Sequence, residues 1–328
     1  MKRLACAVMA ALSVCMSAGS PAQAEEAQLR AGVFVPNKTY LSRQAFDEFV
    51  DAVNAEGDGL VKIGPVVSNE SVPAPDMPAA LRSGVLDLIA VPPSYFAAFV
   101  PGAEGLPAAR VSPETQRENG AWDLLNDALA ERANVRLLAQ YGAGAPLHVF
   151  TTFDVNGLDD LKDRRLGSSN TWKSFFEGAG IQAINTPVND YYTAVERGVI
   201  NGFANVNSIL PALGLHEVVN YRIDPGFYSA VVVVAINLDT WEGLSEEQKA
   251  YLHEKALYLE NQISASMAEK DAAIGAQMVE EGNIEIATLP EGDAERFTQI
   301  AYDATWDIIR SRAPELGEKL YGLMTGAQ

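Results

Sequence analysis

The side chains in this chain that could do chemistry are mainly amides and aromatic rings, and they lie at or near the ends of predicted strands. Ligands of open α/β sheets bind at the carboxyl ends of strands, so these side chains are candidates for one binding site. Convergent hydrogen-bonding groups among aromatic walls would hold a small organic molecule. The candidates are Asn37, Tyr40, Glu70, Tyr95, His148, Arg165, Asn170, Trp172, Asn205 and Asn207.

Signatures of catalysis and of metal binding are poor. The histidines, His148, His216 and His253, are widely separated, and the chain has no HExxH, CxxC or GxSxG motif. The acidic cluster at 159–163 lacks the spacing of a calcium loop. We therefore expect no cofactor and no metal, and a binding protein rather than an enzyme. An exported lyase or isomerase that uses Glu70 or His148 as its base is the alternative from another class.

The N-terminus has the pattern of a secretory signal peptide. Lys2 and Arg3 precede an apolar run, and the small residues of Ala22-Gln23-Ala24 predict cleavage after Ala24. Both cysteines, Cys6 and Cys15, lie in this leader, so the mature chain would contain none. We predict a periplasmic protein whose stability rests on its core alone.

Composition narrows the possible partners. The 328 residues include 24 Lys and Arg against 43 Asp and Glu, for a net charge of −19 at pH 7. Such a surface repels nucleic acid and anionic membranes. No apolar run after the leader is long enough to span a bilayer. We expect a soluble monomer whose partner is a small solute, with no nucleic acid or membrane surface bound.

Apolar runs alternate with amphipathic segments along the mature chain, which is typical of βα units. The length permits two domains, and we predict domain I at 25–147 plus about 234–270 and domain II at 148–233 plus about 271–328. The predicted strands are 28–35, 61–67, 85–91, 135–141, 147–152, 164–168, 181–185, 199–203 and 227–237. The predicted helices are 41–53, 77–82, 114–131, 172–179, 190–197, 245–281, 298–312 and 314–324. We expect the strand at 227–237 to serve both sheets, the helix at 245–281 to cross both domains, and the last two helices to pack on the second domain.

The segment 160–207 resembles the solute-binding subunit of TRAP transporters (tripartite ATP-independent periplasmic transporters) of the DctP type. The matching positions are Asp160, Leu161 and Lys162 of a DLKG motif, Tyr192, Ala194 and Gly198 of a YxAL…G helix, and Gly202 and Asn205 of a DGxEN turn. The resemblance implies a periplasmic binding protein-like fold, with two α/β domains joined by a hinge and a long helix across both. It also implies that the cleft closes on a small organic solute, that Asn205 contacts this solute, and that TRAP membrane subunits receive it. A periplasmic partner of a sensor would bind its solute in the same way and is a further alternative.

One position departs from the family's pattern. The motif DLKG-x-K-[IL]-R ends in an arginine that pairs with the substrate carboxylate, and Gly167 stands at this position here. The resemblance implies an organic anion, whereas the glycine removes the group that usually holds it. Arg165 lies on the same predicted strand face and could reach the cleft, although we favour surface exposure for it, and His148 or backbone N–H groups at 167–170 are the other candidates to offset the lost guanidinium. We also expect the glycine to open volume beside Trp172, which either lines the pocket or fills the core.

Overall fold

A computed structural model describes residues 25–57 and 59–327, so the predicted signal peptide lies outside the described residues. The strands are β1 (Ala27–Leu29), β2 (Ala31–Val33), β3 (Val61–Ile63), β4 (Val67–Ser68), β5 (Leu88–Val91), β6 (Val135–Tyr141), β7 (His148–Thr151), β8 (Arg165–Ser168), β9 (Gln182–Asn185), β10 (Gly202–Asn205), β11 (Tyr221–Asp224), β12 (Val232–Asn237) and β13 (Glu285–Thr288). The helices are α1 (Leu41–Glu56), α2 (Met77–Arg82), α3 (Pro113–Glu118), α4 (Ala121–Ala133), α5 (Lys173–Gly178), α6 (Tyr191–Glu196), α7 (Ile209–Ala212), α8 (Leu238–Gly243), α9 (Glu246–Tyr258), α10 (Ser264–Glu280), α11 (Glu291–Arg312) and α12 (Pro314–Thr325).

The first domain is built on a five-stranded sheet of order β4-β2-β5-β12-β6. β2 is parallel to β4 and β5, while β12 enters late in the chain and pairs antiparallel with β5 and β6. The valine-rich β12 is buried along its whole length, as its β-branched residues favour. The expectation that one strand at 227–237 pairs within both sheets is wrong. The N–H groups of Ser229 and Ala230 donate to the loop carbonyls of Pro107 and Ala145, so this stretch stays outside the sheet ladders.

The second domain is built on a six-stranded sheet of order β13-β11-β7-β10-β8-β9. β8, β9 and β10 are parallel, so their carboxyl ends share one edge. β10 also pairs antiparallel with β7, which sets Asn205 opposite His148. A Cβ at Gly202 would lie 2.1 Å from the carbonyl oxygen of Phe150, so only glycine allows the two strands to approach this closely.

A nearly continuous helix crosses both domains, as predicted. It runs through α9, a π-helical segment at Leu259–Ile263 and α10, and it is about 50 Å long at a rise of 1.5 Å per residue. The Ser245 side chain and Gln248 form a capping box at its start. At Gly275 a Cβ would lie 2.7 Å from Cγ of Asn207, so the glycine lets α10 pack closely against the second domain.

The C-terminal helices join the two domains. α11 packs on α5 of the second domain, whereas α12 packs on α4 of the first. Leu320 and Met324 of α12 are fully buried, and the N–H groups of Arg110 and Val111 donate to the carbonyl of Met324. The expectation that both helices pack on the second domain is therefore wrong for α12. The predicted helix 114–131 is also two helices, because Gly120 adopts a positive φ of 85° between α3 and α4.

Candidate functional site

A cavity of about 330 Å³ lies between the two domains, at the carboxyl ends of their strands. Its walls come from the loops that follow β2, β5, β8, β9 and β10, and Met267 of the long helix closes one side. Most of the wall is apolar, with Phe34, Val188, Ile209 and Val231 among its members. The volume is in the range of pockets that bind small organic ligands.

The structure brings part of the predicted site together at this cavity. Tyr40 and Tyr95 line it from the first domain, and Trp172 and Asn205 line it from the second. Asn205 ends β10, and its Oδ1 accepts the N–H of Val206 at 2.9 Å. Among the described residues its Nδ2 has no partner, so two amide N–H groups remain for a ligand.

Both tyrosines are neutral hydrogen-bonding groups. Burial raises the pKa of Tyr40 to about 12, and burial also raises the pKa of Tyr95. The phenols therefore keep their protons at neutral pH. The Tyr40 hydroxyl donates to Oδ1 of Asn189 at 3.1 Å, which joins the first domain to the second. A second hydrogen bond across the domains links the hydroxyls of Ser94 and Thr171 at 3.0 Å.

Trp172 belongs both to the cavity wall and to the core. Only 7% of its surface is exposed, and it shares a buried cluster with Phe175 and Phe176. Its Nε1–H is buried and has no hydrogen-bond partner among the residues that the structure describes. The same holds for Oδ1 of Asn69, which also lines the cavity. Unpaired buried groups are costly, and both residues belong to the cavity wall although these two atoms are closed to solvent.

Several predicted residues lie outside the wall. Glu70 and Asn170 are exposed, although Asn69, Ser169 and Thr171 beside them line the cavity. Asn37 uses its Oδ1 to accept from the N–H and the hydroxyl of Thr39, which shapes the turn before α1. Arg165 begins β8, is exposed, and donates to the carbonyl of Gly198 at 2.7 Å.

His148 and Asn207 lie behind the cavity, in a polar network that braces its wall. Nδ1 of His148 lies 3.0 Å from Oδ1 of Asp224, which also pairs with Arg222. Burial opposes the charge of Asp224, but hydrogen bonds from His148 and Arg222 outweigh it and lower the pKa of this carboxyl. Arg222 donates to Oδ1 of Asn207, whose Nδ2 donates to Asp271 of α10. The network thereby fixes the loop after β10 to the long helix.

Charge is missing from the cavity wall. Among the described residues that line it, none is Asp, Glu, Lys, Arg or His. Arg43 follows the wall residue Ser42, but its Nε is 2.8 Å from Oδ1 of Asp47 and its Nη1 donates to the carbonyl of Val35. Its charge is thus paired within α1. Nor do residues 25–57 and 59–327 hold a cluster of acidic, histidine or cysteine side chains arranged for a metal ion.

Gly167 does not open volume beside Trp172, so that expectation is wrong. A Cβ at Gly167 would lie 2.8 Å from Cε1 of Tyr191 and 3.0 Å from Cδ1 of Ile200. The Tyr191 ring is fully buried and stacks on Phe203 with their centroids 4.7 Å apart. An aromatic core residue therefore fills the space into which a side chain at 167 would extend.

Sequence reasoning missed the wall residues that neighbour the predicted ones. Asn69, Ser169 and Thr171 were within one residue of a candidate, and Asn189 follows β9 just as Asn170 follows β8. The signal that could have found Asn189 was the same one, a polar side chain after a strand. The choice between adjacent residues depends on turn conformation, which no periodicity determines.

The family follows from a sequence comparison. The profile of the bacterial extracellular solute-binding proteins, family 7 (DctP), matches residues 32–310. The chain belongs to this family. A solute-binding protein of Chromohalobacter salexigens is 25% identical over 259 residues, which cover 76% of this chain and 75% of that protein.

Solved structures share the fold. A TRAP periplasmic solute-binding protein from Marinobacter aquaeolei, in an apo open structure, has a TM-score of 0.77 and 18% identity, and the match covers 91% of this chain and 99% of that one. A TRAP periplasmic solute-binding protein from Desulfovibrio salexigens, with bound orotic acid, has a TM-score of 0.79 and 16% identity, and the match covers 91% of this chain and 97% of that one. The predicted two-domain periplasmic binding fold is confirmed.

Membership of family 7 settles the class of activity. Its proteins are periplasmic, bind small solutes and work with TRAP membrane subunits, so this chain is a binding protein and not an enzyme. The base proposed at Glu70 or His148 has no role in such a protein. No helix among the described residues is long and apolar enough to cross a membrane.

Proposed function

We propose that this protein is exported by a leader cleaved after Ala24, captures one small organic solute in the interdomain cavity, and delivers it to TRAP membrane subunits as a monomer. The observation that carries the proposal is the cavity itself. It is walled by both domains and holds Asn205 and Trp172 on one side and Tyr40 and Tyr95 on the other. A ligand that contacts both domains stabilises the closed state over the open one.

The domain boundaries that support this closure are those predicted, domain I at 25–147 plus about 234–270 and domain II at 148–233 plus about 271–328, except that α12 (Pro314–Thr325) packs on domain I. In support of them, the chain passes between the two sheets after β6, before β12 and along the long helix. These crossings would form the hinge. The Tyr40–Asn189 and Ser94–Thr171 hydrogen bonds, which join the domains in this structure, would hold the closed state and break when the cleft opens.

The ligand contacts are proposed from the wall. Asn205 would donate its side-chain amide, and Trp172, Tyr95 and Tyr40 would form apolar faces with polar edges. His148 and Asn207 would act on the ligand through the loop that they brace. Asn37, Glu70, Asn170 and Arg165 would then contact the solute only if closure moved them to it.

The first experiment identifies what the protein carries. The exported protein is purified natively, without refolding, and released compounds are analysed by mass spectrometry after denaturation. The compound found is then titrated by calorimetry into protein that has been unfolded, dialysed and refolded. One solute bound at one site per chain supports the proposal, and a protein that releases and binds nothing contradicts it.

The second experiment tests the site with Asn205→Ala. Loss of one or two hydrogen bonds in a closed cleft should weaken binding by roughly 1–3 kcal/mol. The apo melting temperature should fall only slightly, because the one protein hydrogen bond lost among the described residues is the local bond from the N–H of Val206 to Oδ1. Asn261→Ala, on an exposed position of the long helix, is the matched control and should bind normally. Equal affinity of both variants would remove Asn205 from the site.

A further inference from the structure

The described side chains of the cavity wall offer an anion no counterion. No side chain among its described members carries a charge, and the whole chain has a net charge of −19. A carboxylate moved from water into such a cavity would lose its hydration without gaining a cation. The position of the family arginine is Gly167, and the Tyr191 ring blocks a longer side chain there. Arg165, one candidate replacement, is exposed and donates to the carbonyl of Gly198.

The hydrogen-bonding groups of the wall are neutral, and they include both donors and an acceptor. Trp172 Nε1–H and Asn205 Nδ2 are donors, and Oδ1 of Asn69 is an acceptor. None of these atoms has a protein partner among the described residues, and because Nε1 of Trp172 and Oδ1 of Asn69 are closed to solvent, both side chains must turn toward the cavity to reach a solute. The wall residues Leu41 and Ser42 add the first N–H groups of α1, which lie ahead of the helix's own hydrogen bonds.

We infer that the cavity selects an uncharged organic solute with a mainly apolar body and one amide-like pair of groups. Its carbonyl oxygen accepts from the donors of the second domain, Trp172 and Asn205. Its N–H donates to Asn69 of the first domain, so the same group bridges both domains and favours closure. A carboxylate of the same shape offers no donor to Asn69 and leaves a charge unpaired. The inference rests on the proposed solute-binding function and names the class of solute.

The test compares neutral and anionic probes of equal shape. Primary carboxamides are paired with the carboxylates of the same skeleton, from benzamide and benzoate to hexanamide and hexanoate, and binding is measured by thermal shift and calorimetry. We expect binding by carboxamides, with affinity at least about tenfold above that of each paired carboxylate, because only the carboxylate is buried as an unpaired charge. Binding should change little between low and high salt, because no charge pair forms.

A pair of variants tests whether Asn69 accepts the N–H of the carboxamide. Asn69→Ala should weaken binding of the carboxamide about five- to tenfold, because its N–H loses its partner. Ser71→Ala, at an exposed position of the same turn, should bind as the unmodified protein does. An unchanged carboxamide affinity in Asn69→Ala would overturn the bridging arrangement.

The compound released from natively purified protein decides the outcome if the panel contains no ligand. A released neutral compound supports the inference. A released anion, or a carboxylate that binds more tightly than its amide, overturns it while the solute-binding function stands. If nothing is released and no probe binds, the inference falls together with the proposed function.

Discussion

Trp172→Phe separates the two roles of this residue, because it deletes the indole N–H and keeps an aromatic ring. In the unliganded protein the Nε1–H is buried without a partner among the described residues, which costs about 1–3 kcal/mol. The smaller ring leaves a void of about 40 Å³, which costs about 1 kcal/mol at 24 cal/mol per Å³, and the lost burial of the deleted carbons costs about 1 kcal/mol more. The lost packing destabilises the variant and the removal of the unpaired N–H stabilises it. The free energy of unfolding of the apo variant should therefore lie close to that of the unmodified protein.

Affinity should respond in the opposite direction. A ligand acceptor that bonds Nε1–H loses this bond in Trp172→Phe, which weakens binding by about 1 kcal/mol or more. Urea unfolding of the apo variant and calorimetric titration measure the two quantities. Trp172→Ala cannot separate them, because truncating a side chain that is 7% exposed removes core packing as well.

Trp306→Phe is the matched control. Trp306 is fully buried like Trp172, but its Nε1 donates to the carbonyl of Ala108 at 3.3 Å and it does not line the cavity. The control should lose about 1–3 kcal/mol of stability and keep its affinity. If Trp172→Phe behaves like the control, losing stability without losing affinity, then the indole is a core group and the reasoning is refuted.

Three further perturbations test the framework around the cavity. Tyr40→Phe removes the bond to Asn189 and should weaken binding by about 0.5–1.5 kcal/mol in calorimetry, and an unchanged affinity would show that this bond does not aid closure. Gly275→Ala should lower the apo melting temperature although alanine favours helices, because the new methyl would meet Asn207 at 2.7 Å; a raised temperature would contradict the close packing. The pKa of Asp224 is lowered in the folded state. Its ionised carboxylate therefore stabilises the fold fully above the unfolded pKa of about 4, and this stabilisation is lost as the pH falls through the folded pKa. Urea unfolding from about pH 6 to pH 3 should therefore show a smaller loss of unfolding free energy in Asp224→Asn than in the unmodified protein. The same pH dependence in both proteins would show that this carboxylate does not contribute to stability.

Much of the fold could be predicted because long periodic segments determine their own structure. The helix at 77–82 and the strand at 135–141 have the predicted ends, and the helix across both domains follows from its unbroken apolar stripe. The predictions failed where tertiary contacts decide. Residues 227–231 have β propensity but bond to loops, and α12 packs on α4 because its apolar face meets the first domain's core.

Apart from Arg165, the residues predicted for the site lie on the cavity wall or next to a wall residue in the chain, and the reason is physical. Parallel strands place their carboxyl ends together, so any polar residue after a strand lies near the cleft. Which neighbour faces inward depends on the turn, and the structure turns Asn69 inward and Glu70 outward. Asn207 was predicted by the same rule, whereas His148 was predicted from its position at the predicted domain boundary. The acidic partners that hold them, Asp224 and Asp271, lie far along the chain and leave no local pattern.

An uncharged cavity changes what must supply the affinity. Where a guanidinium holds a carboxylate, the charge pair contributes both strength and orientation. Here the apolar wall must supply the strength: burying about 200 Å² of apolar ligand surface contributes about 5 kcal/mol at 25 cal/mol per Å². The neutral donors and acceptor add little net energy when satisfied, but each costs about 1–3 kcal/mol when left unpaired. Selectivity therefore comes from Asn69, Trp172 and Asn205 penalising a solute that fails to match them, while shape and apolar area decide how tightly a matching solute is held.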